Sequence, residues 1–98
     1  MASFTEIING DKPVLIDFHA DWCGPCRVLS PIIQEVAKAF DGKVRVIKID
    51  VDKNATLADK FQIQGVPTMM LFKDGKSVWR QSGVLQKDEI IKQIGSFS

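Results

Sequence analysis

The sequence predicts an α/β domain with a mixed, four-stranded central sheet and helices on both of its faces. In the first half of the chain, short apolar segments alternate with helical patterns, which is typical of parallel strands joined by helical crossovers. In the second half, two strand-like segments flank Asp74-Gly75, a turn signal for an antiparallel hairpin. The 98 residues allow one core, so we expect a single domain over residues 1–98.

The first half is predicted to run helix, strand, helix, strand. Ser3 and Glu6 form a capping-box pattern that begins a short helix, which ends at Asn9-Gly10-Asp11. The apolar run 14–18 suits a strand that is buried on both faces. A longer helix follows, because apolar residues recur at helical spacing for about three turns. These residues are Leu29, Ile32, Ile33, Val36, Ala37 and Phe40. The segment 44–49 is then predicted to pair in parallel with the first strand.

The second half is predicted to run helix, strand, strand, helix. Asn54 is expected to cap a short helix, which the break at 65–67 separates from a hairpin of strands 68–72 and 77–80. An amphipathic helix is expected after Gly83. The inner faces of these two helices carry Leu57, Ala58 and Phe61, and Ile90, Ile91, Ile94 and Phe97, respectively.

Charge and hydropathy exclude several kinds of partner. The chain has 13 basic and 12 acidic residues, and neither sign forms a long run, so neither nucleic acid nor an acidic membrane is an expected partner. The N-terminal segment lacks a basic stretch followed by an apolar one, so no secretory signal is predicted. No segment approaches membrane-spanning length. We therefore expect a cytoplasmic location.

The two cysteines, Cys23 and Cys26, predict redox chemistry. A disulfide that closes so short a loop removes little entropy from the unfolded chain, so reactivity explains the pair better than stabilisation does. If a helix begins around Gly24 and Pro25, Cys23 lies in its cap region, where free N–H groups and the helix dipole favour a thiolate.

The helix dipole alone is too weak to activate Cys23. Bringing a thiol pKa from about 8.5 to neutrality takes roughly 2 kcal/mol, whereas a helix terminus supplies about 0.3 to 1, and up to ~2 when partly buried. We therefore expect a hydrogen bond to the Cys23 sulfur from the thiol or the backbone N–H of Cys26. Cys26, one turn deeper, is expected to be the buried resolving thiol and Cys23 the exposed one.

Half of a zinc site is the alternative interpretation of a Cys-x-x-Cys segment. A structural zinc ion needs about four cysteine or histidine ligands, and His19 is the only other candidate in the chain. We therefore expect no metal site.

The segment Asp17-Phe18-His19-Ala20-Asp21-Trp22-Cys23-Gly24-Pro25-Cys26 closely resembles the active-site segment of thioredoxins. Further matching segments follow at the intervals found in that family and extend the resemblance over nearly the whole chain. They are Ile49-Asp50-Val51-Asp52, Gly65-Val66-Pro67-Thr68, Leu71-Phe72-Lys73-Asp74-Gly75 and Ser82-Gly83.

The resemblance implies the thioredoxin fold and a general protein-disulfide reductase that works by dithiol-disulfide exchange. Cys23 would attack the substrate disulfide and Cys26 would resolve the mixed disulfide. The expected partners are disulfide-containing proteins and a thioredoxin reductase that supplies electrons from NADPH. No cofactor is expected on the chain itself, which we expect to be a monomer.

The resemblance also implies roles for Asp17 and Pro67. Within an apolar strand, a carboxylate without a partner should have a raised pKa, and the matching aspartate of thioredoxins is thought to act as the base for the second cysteine. A solvent-reaching acid at the strand end is the alternative for Asp17. Pro67 matches a proline whose peptide bond is cis in the family, which would turn the Val66 backbone toward the cysteines.

An apolar rim around Cys23 is expected to bind substrates. It is predicted to consist of Trp22, Gly24, Pro25, Val66, Gly83 and Val84, together with Pro67. The alternative for Trp22 is an amphipathic surface residue without a binding role.

Three departures from the family pattern affect these expectations. His19 replaces the usual tryptophan, and we expect it to modulate the thiolate without taking part in bond chemistry. The N-terminus is short, which predicts a minimal fold with four strands. Val46 is taken to occupy the position of a lysine found near the buried aspartate in some members, so Asp17 should be still easier to protonate.

Two other functions remain open from the sequence. A thiol oxidase or disulfide isomerase of the same fold would differ only in redox equilibrium, where about 30 mV corresponds to roughly 1.4 kcal/mol. A binding module within a larger complex would not need both cysteines, so their presence argues against it.

Overall fold

The computed structural model describes residues 3–97, and its elements follow the predicted order. The helices are α1 (Phe4–Ile8), α2 (Gly24–Phe40), α3 (Ala55–Lys60) and α4 (Lys87–Gly95). The strands are β1 (Val14–His19), β2 (Arg45–Asp50), β3 (Thr68–Lys73) and β4 (Lys76–Ser82).

The four strands form one mixed sheet in the order β2-β1-β3-β4. β1 pairs in parallel with β2 through the α2 crossover, and it pairs antiparallel with β3 on its other side. β3 and β4 form the predicted hairpin, in which Asp74 and Gly75 have positive φ angles of 53° and 81°. A two-residue turn with this left-handed backbone favours glycine at its second position, which explains the Asp-Gly signal. The predicted sheet is confirmed.

Of the two N-caps predicted from the sequence by side-chain type, at Ser3 and at Asn54, the structure shows one. The Ser3 hydroxyl accepts a hydrogen bond from the Glu6 backbone N–H at 3.2 Å, as the capping-box pattern predicts. The expectation that the Asn54 side chain caps α3 is wrong. Asn54 occupies the N-cap position of α3 but makes no side-chain cap bond; its Nδ2 instead donates to the Asp50 carbonyl oxygen at 3.0 Å.

Helices cover both faces of the sheet, and each face has its own buried cluster. On one face, α2 and α4 pack on alternate residues of the central strands; this cluster includes Leu15, Leu29, Ile33, Val36, Met69, Leu71, Ile90 and Ile94. On the other face, α1 and α3 cover a second cluster, which includes Ile8, Val14, Ile16, Phe18, Met70 and Phe72. Because side chains alternate along a strand, Asp17 lies on the same face as Leu15, the face that α2 covers.

The carboxyl end of β1 and the start of α2 meet the segment that enters β3. A small buried cluster joins them and contains Ala20, Cys23 and Cys26, with Val66 packed against it. The cysteine pair is therefore fixed by the sheet through β1 and β3. Among residues 3–97, no helix is both long enough and apolar enough to cross a membrane.

Leu29 provides a test of this packing. Leu29 is fully buried between α2 and the sheet, whereas its neighbour Val28 is 58% exposed. We expect Leu29→Ala to lower the free energy of unfolding by about 2 to 5 kcal/mol, because the cavity adds to the lost transfer energy. Val28→Ala is the matched control and should change it by less than about 0.5 kcal/mol. Urea unfolding of the oxidised proteins measures both, and equal effects would contradict the packing described here.

Candidate active site

Cys23 and Cys26 form a disulfide at the amino end of α2, with their Cα atoms 5.3 Å apart. Cys23 is the N-cap residue, and its extended backbone (φ −90°, ψ 110°) ends the preceding loop. Its sulfur accepts a hydrogen bond from the Cys26 backbone N–H at 3.1 Å. The sulfur thus occupies the place that a serine or aspartate oxygen takes in an ordinary N-cap. The expected backbone hydrogen bond to Cys23 is confirmed.

The two cysteines are almost equally buried in the disulfide form. Cys23 is 3% exposed and Cys26 is 5% exposed. The expectation that Cys23 would be the exposed thiol is therefore wrong for this form. Both cysteines belong to one buried cluster with Ala20, against which Val51 and Val66 pack. The two sulfurs differ in hydrogen bonding, since the Cys23 sulfur is the one that accepts the helix N–H.

The Val66-Pro67 peptide bond is cis, as the resemblance implied. The Val66 carbonyl oxygen lies 3.5 Å from the Cys23 sulfur. In the disulfide this sulfur carries no proton, so the contact becomes a hydrogen bond only when Cys23 is a neutral thiol. On the other side of the same turn, the Gly83 backbone N–H donates to the Pro67 carbonyl oxygen at 2.9 Å. The structure therefore places Val66 beside Cys23 and joins Gly83 to the same turn through Pro67.

Trp22 is 69% exposed beside the disulfide. Its indole Nε1 donates to Asp52 Oδ2 at 2.9 Å, which fixes the ring against the loop after β2. A groove of about 170 Å³ extends from Trp22 to Val66 and is lined also by Val51, Ile63, Gln64 and Gly65. The sequence analysis did not predict that Val51 and Ile63 line this groove. The only signal for it was that they lie close in sequence to Asp52 and Gly65, respectively.

The predicted rim is exposed only in part. Gly24 and Pro25 are exposed next to Cys23, and Val66 and Gly83 are half-buried. Pro67 is buried, and its carbonyl oxygen accepts the Gly83 backbone N–H. Val84 is half-buried against the core under α2 and α4. The substrate-binding roles of these residues stay predictions.

Asp17 is buried in the middle of β1, with 1% of its surface exposed. Neither carboxylate oxygen has a hydrogen-bond partner within residues 3–97. Burial raises the pKa of Asp17 above the usual 3.8, and the positive charges of Lys48 and His19 offset part of this rise. The expected burial and raised pKa are confirmed, and the alternative of a solvent-reaching acid is excluded.

Lys48 corrects the interpretation of Val46. Lys48 lies directly opposite Asp17 in the register of β1 and β2, and its charge lowers the pKa of Asp17. The expected lack of a lysine near the aspartate is therefore wrong. The pairing register determines which β2 residue faces Asp17, and this register could not be read from the sequence alone.

A cavity of about 190 Å³ opens beside Cys26 on the α2 side of the sheet. It is lined by His19, Ala20, Asp21, Cys26, Arg27, Ser30 and Lys48. Lys48 Nζ donates to Ser30 Oγ at 2.7 Å across this cavity. The cavity gives water a place next to the second cysteine, in polar surroundings.

A group of three possible metal ligands lies at the edge of this cavity. One donor atom each from His19, Asp21 and Asp50 lies within 4.8 Å of the other two. His19 is half-buried at the end of β1, where it pairs in register with Asp50 at the end of β2.

The fold and the cysteine pair together define a thiol-disulfide oxidoreductase. A dithiol at a helix N-terminus, beside a main-chain carbonyl and an exposed tryptophan, is suited to disulfide exchange with other proteins. The family model for thioredoxin matches residues 1–96. The chain belongs to the thioredoxin family.

Individual relatives agree with this assignment. A thioredoxin-like protein of Synechocystis sp. is 44% identical over 97 residues, covering 98% of this chain and 92% of the relative. A thioredoxin of Rickettsia bellii is 43% identical over 93% of this chain and 87% of its own length. Thioredoxin Y of Oryza sativa subsp. japonica, a chloroplastic protein, is 44% identical over 97% of this chain. The matched part is 57% of that relative's length.

The buried carboxyl group of Asp17 should make the stability depend on pH. Its folded-state pKa is raised, so the folded protein binds the proton more tightly, and stability falls as pH rises from the unfolded value of 3.8 through the folded value. Asp17→Asn removes this loss and should raise the free energy of unfolding at neutral pH by about 1 to 3 kcal/mol.

Urea unfolding of the oxidised proteins at several pH values, with EDTA present to remove divalent ions, measures this effect. The difference between Asp17→Asn and wild type should widen as pH rises. Asp11→Asn, which changes an exposed acid before β1, is the control and should give a constant difference. A variant of Asp17 with the same pH dependence as wild type would contradict the role given to burial.

Proposed function

We propose that the protein is a general protein-disulfide reductase in which Cys23 attacks, Cys26 resolves and Asp17 assists proton transfer. One observation carries the proposal: the Cys23 sulfur accepts the backbone N–H of the α2 N-terminus while Cys26 lies within disulfide reach. The helix N–H and dipole stabilise negative charge on Cys23. They do so most directly for the residue at the cap, which makes Cys23 the nucleophile.

In the first step the Cys23 thiolate attacks one sulfur of a substrate disulfide. A Cys23–substrate disulfide forms, the substrate S–S bond breaks, and the other substrate sulfur leaves as a thiolate that takes a proton. Trp22 and the exposed Gly24 and Pro25 provide a surface for the incoming protein. The main chain at Val66 supplies a polar contact next to the reacting sulfur.

In the second step Cys26 attacks the Cys23 sulfur of the mixed disulfide. The Cys23–Cys26 disulfide forms, the second substrate sulfur leaves as a thiolate, and two electrons have passed to the substrate. Cys26 must first lose its thiol proton. Asp17 lies on the sheet face that α2 covers, and burial raises its pKa, which makes its carboxylate a better proton acceptor than that of an exposed aspartate. Water in the cavity beside Cys26 can exchange a proton with this thiol.

The proposal includes the partners and the setting expected from the sequence. A thioredoxin reductase that draws on NADPH would return the disulfide to the dithiol, and the chain itself would carry no cofactor. We propose a single-domain monomer that works in the cytoplasm, where thiols are kept reduced. His19 is proposed to modulate the site, since its charge lowers the pKa of Asp17.

Trapping of the mixed disulfide tests the order of the two cysteines. Cys26→Ser, mixed with intact insulin in the absence of another thiol, should accumulate a covalent adduct through Cys23, because the Cys23 thiolate attacks an insulin disulfide and the resolving thiol is absent. Cys23→Ser, the matched control, should form no such adduct. Both variants should lose turnover of insulin reduction with dithiothreitol as the electron donor. Non-reducing electrophoresis and mass spectrometry detect the adduct.

Asp17→Asn, in a chain that keeps both cysteines, should slow the turnover of insulin reduction by at least about tenfold, because resolution of the mixed disulfide by Cys26 is slowed, while the first attack by Cys23 is less affected. An adduct formed by Cys23→Ser in place of Cys26→Ser would reverse the roles of the cysteines. Turnover that survives loss of both thiols would contradict the proposed chemistry altogether.

A further inference from the structure

The residues around His19 form a group that takes no part in the bond chemistry of the proposed reductase. His19 is the last residue of β1 and Asp50 is the last residue of β2, and the two are direct partners in the parallel register. Their side chains therefore leave the sheet on the same face and at the same end. Asp21 follows two residues after His19 and brings a second carboxylate to this position.

The side chains of this group have few other partners. Within residues 3–97, neither the His19 imidazole nor the Asp21 carboxylate forms a hydrogen bond or an ion pair. Asp50 uses only Oδ1, which accepts the backbone N–H groups of Asp52 and Lys53 at 2.8 and 3.3 Å. Its Oδ2 remains available. A half-buried imidazole without a hydrogen bond, next to two carboxylates with free oxygens, is an arrangement that a bound cation would satisfy.

The neighbouring cations do not occupy this position. Arg27 and Lys48 line the same cavity as His19 and Asp21. Arg27 Nη2 donates to the Asp21 backbone carbonyl oxygen at 2.7 Å, and Lys48 Nζ donates to Ser30 Oγ at 2.7 Å. Both therefore donate to neutral oxygens, and the carboxylate oxygens of Asp21 and Asp50 stay free of them.

We propose that His19, Asp21 and Asp50 bind a divalent transition-metal ion of the zinc class. The three donor atoms lie within 4.8 Å of one another. At this spacing one ion can approach all three atoms, and small side-chain rotations can bring them to the about 2.0 to 2.2 Å of zinc bonds to nitrogen and oxygen. Three protein ligands leave further positions for water.

The donor set selects the class of ion. One imidazole nitrogen with two carboxylate oxygens suits zinc and its first-row neighbours, whereas calcium and magnesium prefer oxygen ligands alone. The ligand count that argued against zinc in the sequence considered only cysteine and histidine. The two aspartates reach His19 through the strand pairing and the turn after β1, which the sequence spacing does not reveal.

Zinc titration of the oxidised protein tests this site. The Cys23–Cys26 disulfide removes both thiols as ligands, so binding must come from other side chains. Isothermal titration calorimetry with zinc chloride at neutral pH should give one ion per chain. His19 is the only histidine in the chain, so its ring resonances are a single, assignable signal in NMR spectra. They should shift during the same titration.

Variants locate the ligands. His19→Asn should weaken zinc binding by at least about tenfold, and Asp21→Asn and Asp50→Asn should each weaken it by a similar factor. Asp50→Asn keeps an Oδ1 acceptor for the Asp52 and Lys53 N–H groups, so it tests the charge without removing these bonds. Asp11→Asn is the matched control, because Asp11 is an exposed acid before the amino end of β1. It should leave the affinity unchanged.

The proposal is overturned if the oxidised wild-type protein binds no zinc at millimolar concentration. It is also overturned if zinc binds with unchanged affinity to His19→Asn, or if the wild-type His19 resonances do not move while heat of binding is observed. The NMR measurement uses the unaltered chain, so the test remains decisive even if a variant folds poorly.

Discussion

The hydrogen bond from the Cys26 backbone N–H to the Cys23 sulfur is the interaction on which the rest of the site depends. It makes a cysteine the N-cap of the longest helix in the chain, so the first turn of α2 is completed by the sulfur that is proposed to react. The position of that sulfur follows from the sheet. Cys23 follows shortly after the end of β1. The cis turn before β3 places the Val66 carbonyl oxygen 3.5 Å from the Cys23 sulfur. Stability and reactivity thus use the same contact, because the cap that begins the helix also stabilises a thiolate.

At Asp17, unlike at Cys23, stability and the proposed function conflict. A carboxyl group without a partner in the centre of a buried strand costs stability whenever it ionises, and the charges of Lys48 and His19 reduce that cost only in part. An apolar residue would pack in its place without this penalty. A carboxyl group on the sheet face that α2 covers is therefore understandable if it serves proton transfer to and from Cys26. The cavity beside Cys26 provides the polar surroundings such a transfer needs.

The sequence predicted the fold well because its local signals agree with one another. The helical spacing from Leu29 to Phe40, the Asp74-Gly75 turn and the Ser3 capping box each point to one local structure, and each is present. The features that the sequence did not predict depend on register and packing. Lys48 faces Asp17 because of how β1 and β2 pair, and the same pairing brings Asp50 to His19. The two cysteines are similarly buried because they lie in one cluster with Ala20 and Val66. The spacing of these residues along the chain does not predict this packing.

The central claim is that the helix cap activates Cys23. Ultraviolet absorbance of the thiolate, measured against pH in reduced Cys26→Ser, tests it most directly, because this variant keeps the residue 26 backbone N–H and leaves Cys23 as the only thiol. The account predicts a Cys23 pKa clearly below the about 8.5 of an unperturbed cysteine. A pKa at or above that value would contradict it, since burial without stabilisation of the anion by the helix N-terminus raises a thiol pKa.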